Sequence, residues 1–353
     1  MKVMTEPIRV GVVGFGLAGR IFHTSVVHAT PGLELACVVQ RSGDDAALEY
    51  PGIRLACSVE EMLSDVGIQL VVLATPNTTH FELAQQCLHQ QRHVVIDKPF
   101  TLTSAEAAAL IRLAREHKLL LTAYQSRRWD GDFQTVRDLI ASGELGRLVS
   151  FESHCDRFRA QPRRNVWREN GGPGGGILFD LGSHCIDQAL TLFGAPAAIT
   201  ASVRIERDNA AVDDAWDIFL EYAGPLPFTV QLRATLTACA PGPRFVLHGT
   251  KGSFTKWGID PQEDQLKSGM HFGDPGFGEE PESAWGELQL CGDAGLIQRR
   301  IRTKPGDYRG FYENVRDTLL EDAQGRGVRD HQSGHVFGHE LAQLLDIDLA
   351  VGV

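Results

Sequence analysis

The fold of this chain is decided by Ile8-Arg9-Val10-Gly11-Val12-Val13-Gly14-Phe15-Gly16-Leu17-Ala18-Gly19. An apolar run typical of a buried strand leads into Gly-x-Gly-x-x-Gly, and a helix-period segment follows. In such a turn Gly14 allows the tight bend, Gly16 lets the backbone approach a pyrophosphate, and Gly19 lets helix and strand pack closely. The helix N-terminus then attracts phosphate. The segment predicts a βα unit that binds a dinucleotide; a merely glycine-rich turn is the alternative.

The first 125 residues continue as alternating strands and helices, which is typical of a parallel sheet. The predicted strands are 8–13, 33–39, 70–74, 94–96 and 119–123, and the predicted helices are 18–29, 59–65, 79–90 and 104–117. We therefore expect residues 1–125 to form a doubly wound Rossmann domain of the α/β class.

The pattern changes from residue 126 onward, where most strands follow one another without intervening helices. Helices are predicted at 133–142, 180–193, 308–321 and 334–350, strands at 148–158, 199–205, 216–222, 228–236, 245–247 and 252–257, and a loop at 268–282. Strands joined in this way form a mostly antiparallel sheet. We expect residues 126–353 to form an α+β domain with a large open sheet, whose face must be covered by helices or by another subunit.

Composition limits the classes of function. A chain of 353 residues suits two domains, and a net charge of -11 argues against nucleic-acid or anionic-membrane partners. No stretch approaches the roughly 20 apolar residues of a membrane span. The seven cysteines are scattered and include no Cys-x-x-Cys pair, which predicts neither a disulfide framework nor a zinc site. We expect a cytoplasmic protein.

The end of the second predicted strand bears on the choice of cofactor. A site selective for NAD places an acid there, on the ribose 2′-hydroxyl, but this chain has Gln40-Arg41-Ser42. Neutral donors and a guanidinium suit a 2′-phosphate, so the sequence favours NADP. NAD stays possible, because Asp44 or Asp45 could take the acidic role and Arg41 could be a solvated surface residue.

Three further segments carry candidate site residues. Thr75-Pro76-Asn77-Thr78-Thr79-His80 follows a strand at the edge where ligands bind, although a plain Pro-Asn turn is the alternative. Asp97-Lys98-Pro99 follows the next strand. Asp180 and His184 are four residues apart, so both project from one helical face, unless His184 is a core histidine and Asp180 an N-cap.

These motifs, in this order and spacing, resemble the glucose-fructose oxidoreductase, inositol dehydrogenase and rhizopine catabolism family. Residues 124–130, Asp156-Arg157-Phe158-Arg159 and Trp167-Arg168-Glu169 are similar to its branch that contains NADP-dependent scyllo-inositol dehydrogenase. The resemblance implies a second domain whose open sheet makes a homodimer or homotetramer. It also implies catalytic roles for Lys98, Asp180 and His184, and a cis peptide before Pro99 that points Lys98 toward the nicotinamide.

The expected cofactor-binding residues are Gly14, Phe15, Gly16, Leu17, Ala18, Gly19, Gln40, Arg41, Ser42, Thr75, Pro76, Asn77, His80, Lys98 and Pro99. The expected substrate contacts, suited to the polar rim and apolar faces of a sugar or cyclic polyol, are Arg128, Trp129, Asp156, Arg157, Trp167 and Arg168. Each could instead have a structural role. Gln125-Ser126 replaces the His-Asn that is typical of the branch, which puts a contact at Ser126 in doubt.

The chemistry expected of the catalytic set is alcohol oxidation. His184 accepts the hydroxyl proton, Lys98 stabilises the alkoxide, and Asp180 orients the substrate and His184. Alternatives are a glycoside hydrolase that oxidises the sugar transiently, and a non-catalytic NADP-sensing protein. His331, His335 and His339, followed by Glu340, superficially suggest a metal site, but they lack a His-Glu-x-x-His order and a surface helix is predicted. We expect no metal.

Overall fold

The computed structural model describes residues 6–163, 166–226, 228–292 and 295–323. The described residues divide into two compact units: a first unit that extends to residue 126 and includes residues 308–323, and a second unit within residues 127–307. The first of these divisions lies one residue beyond the predicted boundary at residue 125, and the described residues 308–323 group with the first unit. The predicted helix at 334–350 and His331, His335, His339 and Glu340 lie outside the described residues.

The first unit contains a parallel sheet of six strands in the order β3-β2-β1-β4-β5-β6. The strands are β1 Ile8–Val13, β2 Leu33–Val39, β3 Arg54–Ala56, β4 Leu70–Leu73, β5 His93–Ile96 and β6 Leu121–Ala123. Strand order reverses beside β1, so the carboxyl ends of β1 and β4 flank the crevice where ligands bind in such sheets. The Rossmann prediction is confirmed. β3 was not predicted, because it has three residues, only one of them buried, and so shows no repeating pattern of apolar residues.

Helices of the first unit connect these strands. A π-helical turn, Gly19–Thr24, leads into α1 Ser25–Ala29, and the following helices are α2 Asp45–Glu49, α3 Val59–Leu63, α4 His80–His89 and α5 Ser104–His117. A capping box begins α5: Thr103 Oγ1 accepts the Glu106 N–H, and Glu106 Oε2 accepts the Thr103 N–H. Such a box satisfies two N–H groups that the helix itself leaves without partners.

The second unit is organised by an eight-stranded sheet in the order β14-β13-β12-β11-β7-β10-β9-β8. Its strands are β7 Leu148–His154, β8 Ala198–Arg204, β9 Ala215–Tyr222, β10 Phe228–Thr235, β11 Phe245–Gly249, β12 Gly252–Lys256, β13 Gly286–Gly292 and β14 Gly295–Ile301. Only β7 and β10 pair in parallel, so the prediction of a large, mostly antiparallel sheet is confirmed. β13 and β14 were not predicted, because β14 is exposed almost throughout and shows no alternation.

One face of this sheet forms the core of the second unit. Phe151, Trp216, Leu247 and Phe254 are fully buried on that face. The helices of the unit are α6 Gly131–Ser142, α7 Ser183–Phe193 and α8 Gln262–Lys267. Phe193 of α7 packs edge to face on Phe151 at 5.2 Å. The other face carries polar residues and the exposed ring of Phe219.

Helix α9, Arg309–Ala323, returns the chain to the first unit. Phe311 and Tyr312 are buried there, and the Phe311 ring meets Tyr124 edge to face at 4.8 Å. Arg316 Nη1 donates to the Pro31 carbonyl at 2.6 Å. Among the described residues, no helix has both the length and the apolar character that a membrane crossing requires.

Candidate active site

The three glycines of the first turn differ in what surrounds them. Gly14 has φ +98°, and a Cβ there would lie 2.6 Å from the Ala74 carbonyl oxygen. A Cβ on Gly19 would collide with the Gly14 carbonyl oxygen, whereas a Cβ on Gly16 would meet no atom within 4 Å. The fold therefore requires Gly14 and Gly19, but it leaves an open cradle at Gly16. That cradle fits a pyrophosphate approaching the backbone.

The predicted loop neighbours of these glycines are partly accessible. Leu17 is 63 % exposed and Phe15 is half-buried. The Arg20 N–H donates to the Gly16 carbonyl at 2.8 Å, so helical bonding begins within the turn. The N-terminal end of this helical segment thus lies at the cradle, where its N–H groups favour an anion.

The loop after β2 is organised by Gln40. Its Nε2 donates to Asp45 Oδ2 at 2.9 Å and to the Ser42 carbonyl at 3.0 Å, and its Oε1 accepts the Ala46 N–H at 3.1 Å. The Asp45 carboxylate is therefore engaged with Gln40. Arg41 and Ser42 are exposed on the outside of the loop. A guanidinium in this place suits a 2′-phosphate.

The turn after β4 is joined to the turn after β5 by His80. Its Nε2 lies 3.0 Å from the Thr75 carbonyl oxygen and its Nδ1 lies 2.9 Å from the Pro99 carbonyl oxygen. The side chain is 1 % exposed, and burial lowers the pKa of His80. The structure therefore places His80 behind the two turns, while Thr75 and Pro76 lie toward the surface.

Lys98 follows β5, is half-buried, and is joined to Pro99 by a cis peptide bond, as the resemblance implied. The Lys98 N–H donates to Asp97 Oδ1 at 2.9 Å. His23 Nε2 lies 3.4 Å from the same oxygen, and His23 Nδ1 lies 2.7 Å from the Tyr312 hydroxyl. His23 and Tyr312 were not predicted from the sequence, because neither residue belongs to a local motif.

In the second unit, Asp180 lies in a π-helical turn, Leu178–Gly182, that precedes α7. The N-cap is Ile177, so Asp180 is not the N-cap of the alternative interpretation. Hydrogen bonds from residue i to residue i+5 widen this turn relative to an α-helix. Asp180 and His184 therefore do not share a helical face in the simple way that a spacing of four residues predicts. Asp213 Oδ2 accepts the Leu178 N–H at 2.8 Å and holds the start of the turn. His184 is 6 % exposed.

Asp180 is brought together with two of the predicted substrate residues. Arg168 Nε lies 3.6 Å from Asp180 Oδ1, and the Arg168 guanidinium stacks over the Trp167 ring at 4.6 Å. Asp180 and Arg168 are both about one-third exposed. A carboxylate, a guanidinium and an indole thus share one accessible surface, which combines hydrogen-bonding groups with a flat apolar face.

The next residue, Glu169, fixes this turn from behind. Its carboxylate accepts from Arg163 Nε at 2.7 Å, Arg207 Nη2 at 3.2 Å and Arg159 Nη1 at 3.4 Å. Burial alone would raise the pKa of Glu169, but the hydrogen bonds and charges of Arg163 and Arg207 lower it. Arg159 and Arg163, which lie within ten residues of Glu169 in sequence, therefore help to hold a buried carboxylate. Arg207 was missed because it lies 38 residues away in sequence.

The remaining predicted substrate residues lie elsewhere in the second unit. Arg128 makes a bidentate pair with Asp187 of α7, at 2.8 and 2.6 Å, and the Trp129 carbonyl accepts the Asp307 N–H at 3.2 Å. Asp156 and Arg157 line a cavity of about 450 Å³ together with His154 and Trp257. The structure thus does not gather all six predicted contacts in one cluster.

The predicted catalytic set is divided between the units: Lys98 belongs to the first, and Asp180 and His184 belong to the second. Their meeting at one site, and the contacts predicted for cofactor and substrate, stay predictions. Within the described ranges, no group of three or more His, Cys, Asp or Glu side chains is arranged to hold a metal ion.

Comparison with known proteins completes the description of the site. The family described as an oxidoreductase family with an NAD-binding Rossmann fold matches residues 8–125, and the GFO/IDH/MocA C-terminal domain matches residues 133–255. The two ranges contain the glycine-rich turn, Lys98, Asp180 and His184. They also account for both sheets of the structure up to β12.

Individual relatives match over nearly their whole length. An uncharacterized oxidoreductase of Escherichia coli is 38 % identical over 91 % of each chain. The scyllo-inositol 2-dehydrogenase (NADP(+)) of Bacillus subtilis is 34 % identical over 90 % of this chain and 88 % of its own. The crystal structure of an oxidoreductase from Bacillus cereus superposes with a TM-score of 0.83 at 30 % identity, covering 96 % and 95 % of the two chains. This chain belongs to the Gfo/Idh/MocA family of oxidoreductases, with an NAD-binding Rossmann fold at its N-terminal end.

Proposed function

We propose that this protein is an NADP-dependent oxidoreductase that transfers hydride between the nicotinamide and a secondary alcohol or ketone of a cyclic polyol or sugar. The observation that carries the proposal is the 34 % identity, over 90 % of the chain, to an NADP(+)-dependent scyllo-inositol 2-dehydrogenase. A nicotinamide supplies the hydride chemistry when bound, so the protein must position the substrate and move its proton.

The preference for NADP is supported by the loop after β2. Arg41 and Ser42 are exposed there, and the Asp45 carboxylate is engaged with Gln40. A guanidinium next to the ribose binds a 2′-phosphate through charge-assisted hydrogen bonds. An acid that accepts from the ribose hydroxyl would be needed for NAD.

The chemical step is assigned to Lys98, Asp180 and His184. An imidazole titrates near neutrality, so His184 can accept the hydroxyl proton during oxidation and return it during reduction. The Lys98 ammonium stabilises the negative charge that develops on the substrate oxygen. Asp180 binds a neighbouring hydroxyl, and Arg168 at 3.6 Å keeps its carboxylate in place.

A polyol suits the surface formed by Trp167, Arg168 and Asp180. The indole matches the C–H face of a ring, and the two charged groups match its hydroxyl rim. The same proposal includes a homodimer or homotetramer through the open face of the second sheet, where Phe219 is 38 % exposed, and the cytoplasmic location expected from the sequence.

The test is a panel of inositols, inososes and common aldoses assayed with NADP and NAD in parallel. We expect turnover with an inositol or inosose, a higher kcat/KM with NADP, and a large loss in His184→Ala. The matched control is His271→Ala, because the His271 side chain is 84 % exposed outside the sheet in the same unit. Absence of turnover with every member of the panel would contradict the proposal. Release of an aryl aglycone without net NADPH would favour a hydrolase.

A further inference from the structure

A chain of buried polar side chains reaches the backbone of Lys98 from two remote parts of the sequence. His23 lies in the helical turn after the glycines, Asp97 ends β5, and Tyr312 lies in α9. His23 and Tyr312 are 0 % exposed and Asp97 is 8 % exposed. The contact between His23 and Tyr312 spans 289 residues of sequence. His23 and Tyr312 are fully buried, so neither presents its side chain at the surface.

Groups close to Asp97 keep its buried carboxylate ionised. Burial of a carboxylate favours its neutral form unless charges or hydrogen bonds compensate. Burial alone would raise the pKa of Asp97, but His23, followed by Lys98 and His80, lowers it. The distance of 3.4 Å from His23 Nε2 to Asp97 Oδ1 is long for an N–H···O bond, so His23 contributes a weak hydrogen bond to this carboxylate.

Tyr312 fixes the orientation of His23. Burial raises the pKa of Tyr312 well above its usual value, so its hydroxyl is protonated and can donate to His23 Nδ1 at 2.7 Å. With Nδ1 as the acceptor, the imidazole proton lies on Nε2, which faces Asp97. The Tyr124 ring covers the imidazole at 4.2 Å between centroids and limits its rotation.

We propose that His23 and Tyr312 are positioning residues for Lys98. They hold the Asp97 carboxylate in place, and Asp97 holds the Lys98 backbone through the N–H bond of 2.9 Å. The inference rests on the proposed function, since it takes Lys98 as the group that stabilises the alkoxide. It also gives α9 a role: the helix supplies the hydroxyl on which the orientation of His23 depends.

The test compares Tyr312→Phe with Tyr222→Phe in the full-length protein without cofactor. Both variants lose one tyrosine hydroxyl bond, since Tyr222 donates to the Gly194 carbonyl at 3.0 Å in the other unit. Residue-resolved hydrogen exchange then reports the Lys98 amide. We expect it to exchange about fivefold faster in Tyr312→Phe, as for loss of one neutral hydrogen bond, and to stay within about twofold of wild type in Tyr222→Phe.

The Tyr124 amide, which donates to the Ile96 carbonyl at 2.8 Å, is the internal reference. We expect its exchange rate to stay near the wild-type value if only the contacts of Lys98 loosen. Equal acceleration of the Tyr124 and Lys98 amides, or an unchanged Lys98 amide, would overturn the proposal. In the active enzyme, we expect Tyr312→Phe to lower kcat and to leave the KM for NADP and the KM for the polyol unchanged. An unchanged kcat beside a faster Lys98 amide would also overturn it. If the wild-type protein turns over no substrate, the proposed function is wrong. The exchange rates of the Lys98 amide still test whether Tyr312 and His23 hold Asp97 in place.

Discussion

At the glycine-rich turn, two glycines that look alike in sequence have different physical reasons to be glycine. Gly19 is required by the protein itself, because a Cβ would collide with the Gly14 carbonyl oxygen. Gly16 faces open space, which is consistent with a ligand that approaches its backbone closely. This difference separates a requirement of folding from a requirement of binding.

Gly16→Ala should therefore weaken the binding of NADPH while leaving the melting temperature of the ligand-free protein almost unchanged. Gly19→Ala should lower the free energy of unfolding by roughly 1–3 kcal/mol, because the chain must move to admit the methyl group. Thermal unfolding and NADPH fluorescence titration measure the two effects. Equal destabilisation by both substitutions would show that Gly16 also has a structural role.

Arg41 is the residue at which the choice between NADP and NAD can be tested. Arg41→Ala should raise the Kd for NADP by about 10- to 100-fold, the usual range for loss of a charge-assisted hydrogen bond, and should change the Kd for NAD by less than about twofold. Arg112→Ala, which removes an exposed arginine of α5, is the control for net charge. A parallel rise in both dissociation constants would place Arg41 away from the 2′-phosphate.

The site residues that could be predicted share one property: they stand in local motifs with fixed spacing, as Gly14, Lys98 and Asp180 do. The residues that support them could not be predicted. His23 and Glu169 act through contacts whose partners lie 289 and 38 residues away, and sequence order does not reveal such pairings. Arg128 was predicted as a substrate contact, and the sequence did not reveal its ion pair with Asp187, which forms only in the folded second unit.

At the scale of elements, the turn containing Trp167 and Arg168 depends on the buried charge of Glu169. Its side chain is 6 % exposed, and its partner Arg207 is 2 % exposed. Removal of one member of a buried pair costs about 3–5 kcal/mol when the other is left without compensation. Arg207 keeps its ion pair with Asp214 at 2.8 Å, so we expect a smaller loss when Glu169 is neutralised. The turn that presents Trp167 and Arg168 should therefore loosen when this carboxylate is neutralised.

Glu169→Gln should lower the melting temperature at neutral pH, and the difference from wild type should shrink in acid. Because the folded-state pKa of Glu169 is lowered, its stabilisation is present above the unfolded pKa of about 4.3 and is lost as pH falls through the folded value. Melting temperatures from pH 7 to pH 3 measure this, with Glu279→Gln, an exposed acid of the same unit, as control. A difference that stays constant over this range would contradict the pairing.

Among the elements, long periodic segments were predictable and short or solvated ones were not. α5, β1 and β2 were each predicted with both ends, because burial of one face or both imposes a repeating pattern of apolar residues. β14 is exposed at nearly every position, so its residues follow no alternation and only pairing with β13 makes it a strand.

At the scale of the whole molecule, the open face of the second sheet is the proposed contact between subunits. Phe219 stands in β9 on this face, between the polar residues Asp217 and Glu221. Phe219→Lys should lower the native mass from that of an oligomer to that of a monomer, as measured by light scattering. Leu48→Lys in α2, where Leu48 is 72 % exposed, should leave the mass unchanged. An unaltered oligomer in Phe219→Lys would place the interface elsewhere.

In the proposed reaction, hydride passes directly between a polyol carbon and the nicotinamide, and His184 takes the proton. The most direct measurement uses scyllo-inositol deuterated at its ring carbons, with NADP, and weighs the NADPH that forms. We expect NADPH carrying one deuterium with the wild-type protein, and a large loss of its formation in His184→Ala. NADPH without deuterium, or a His184→Ala variant as active as wild type, would contradict it.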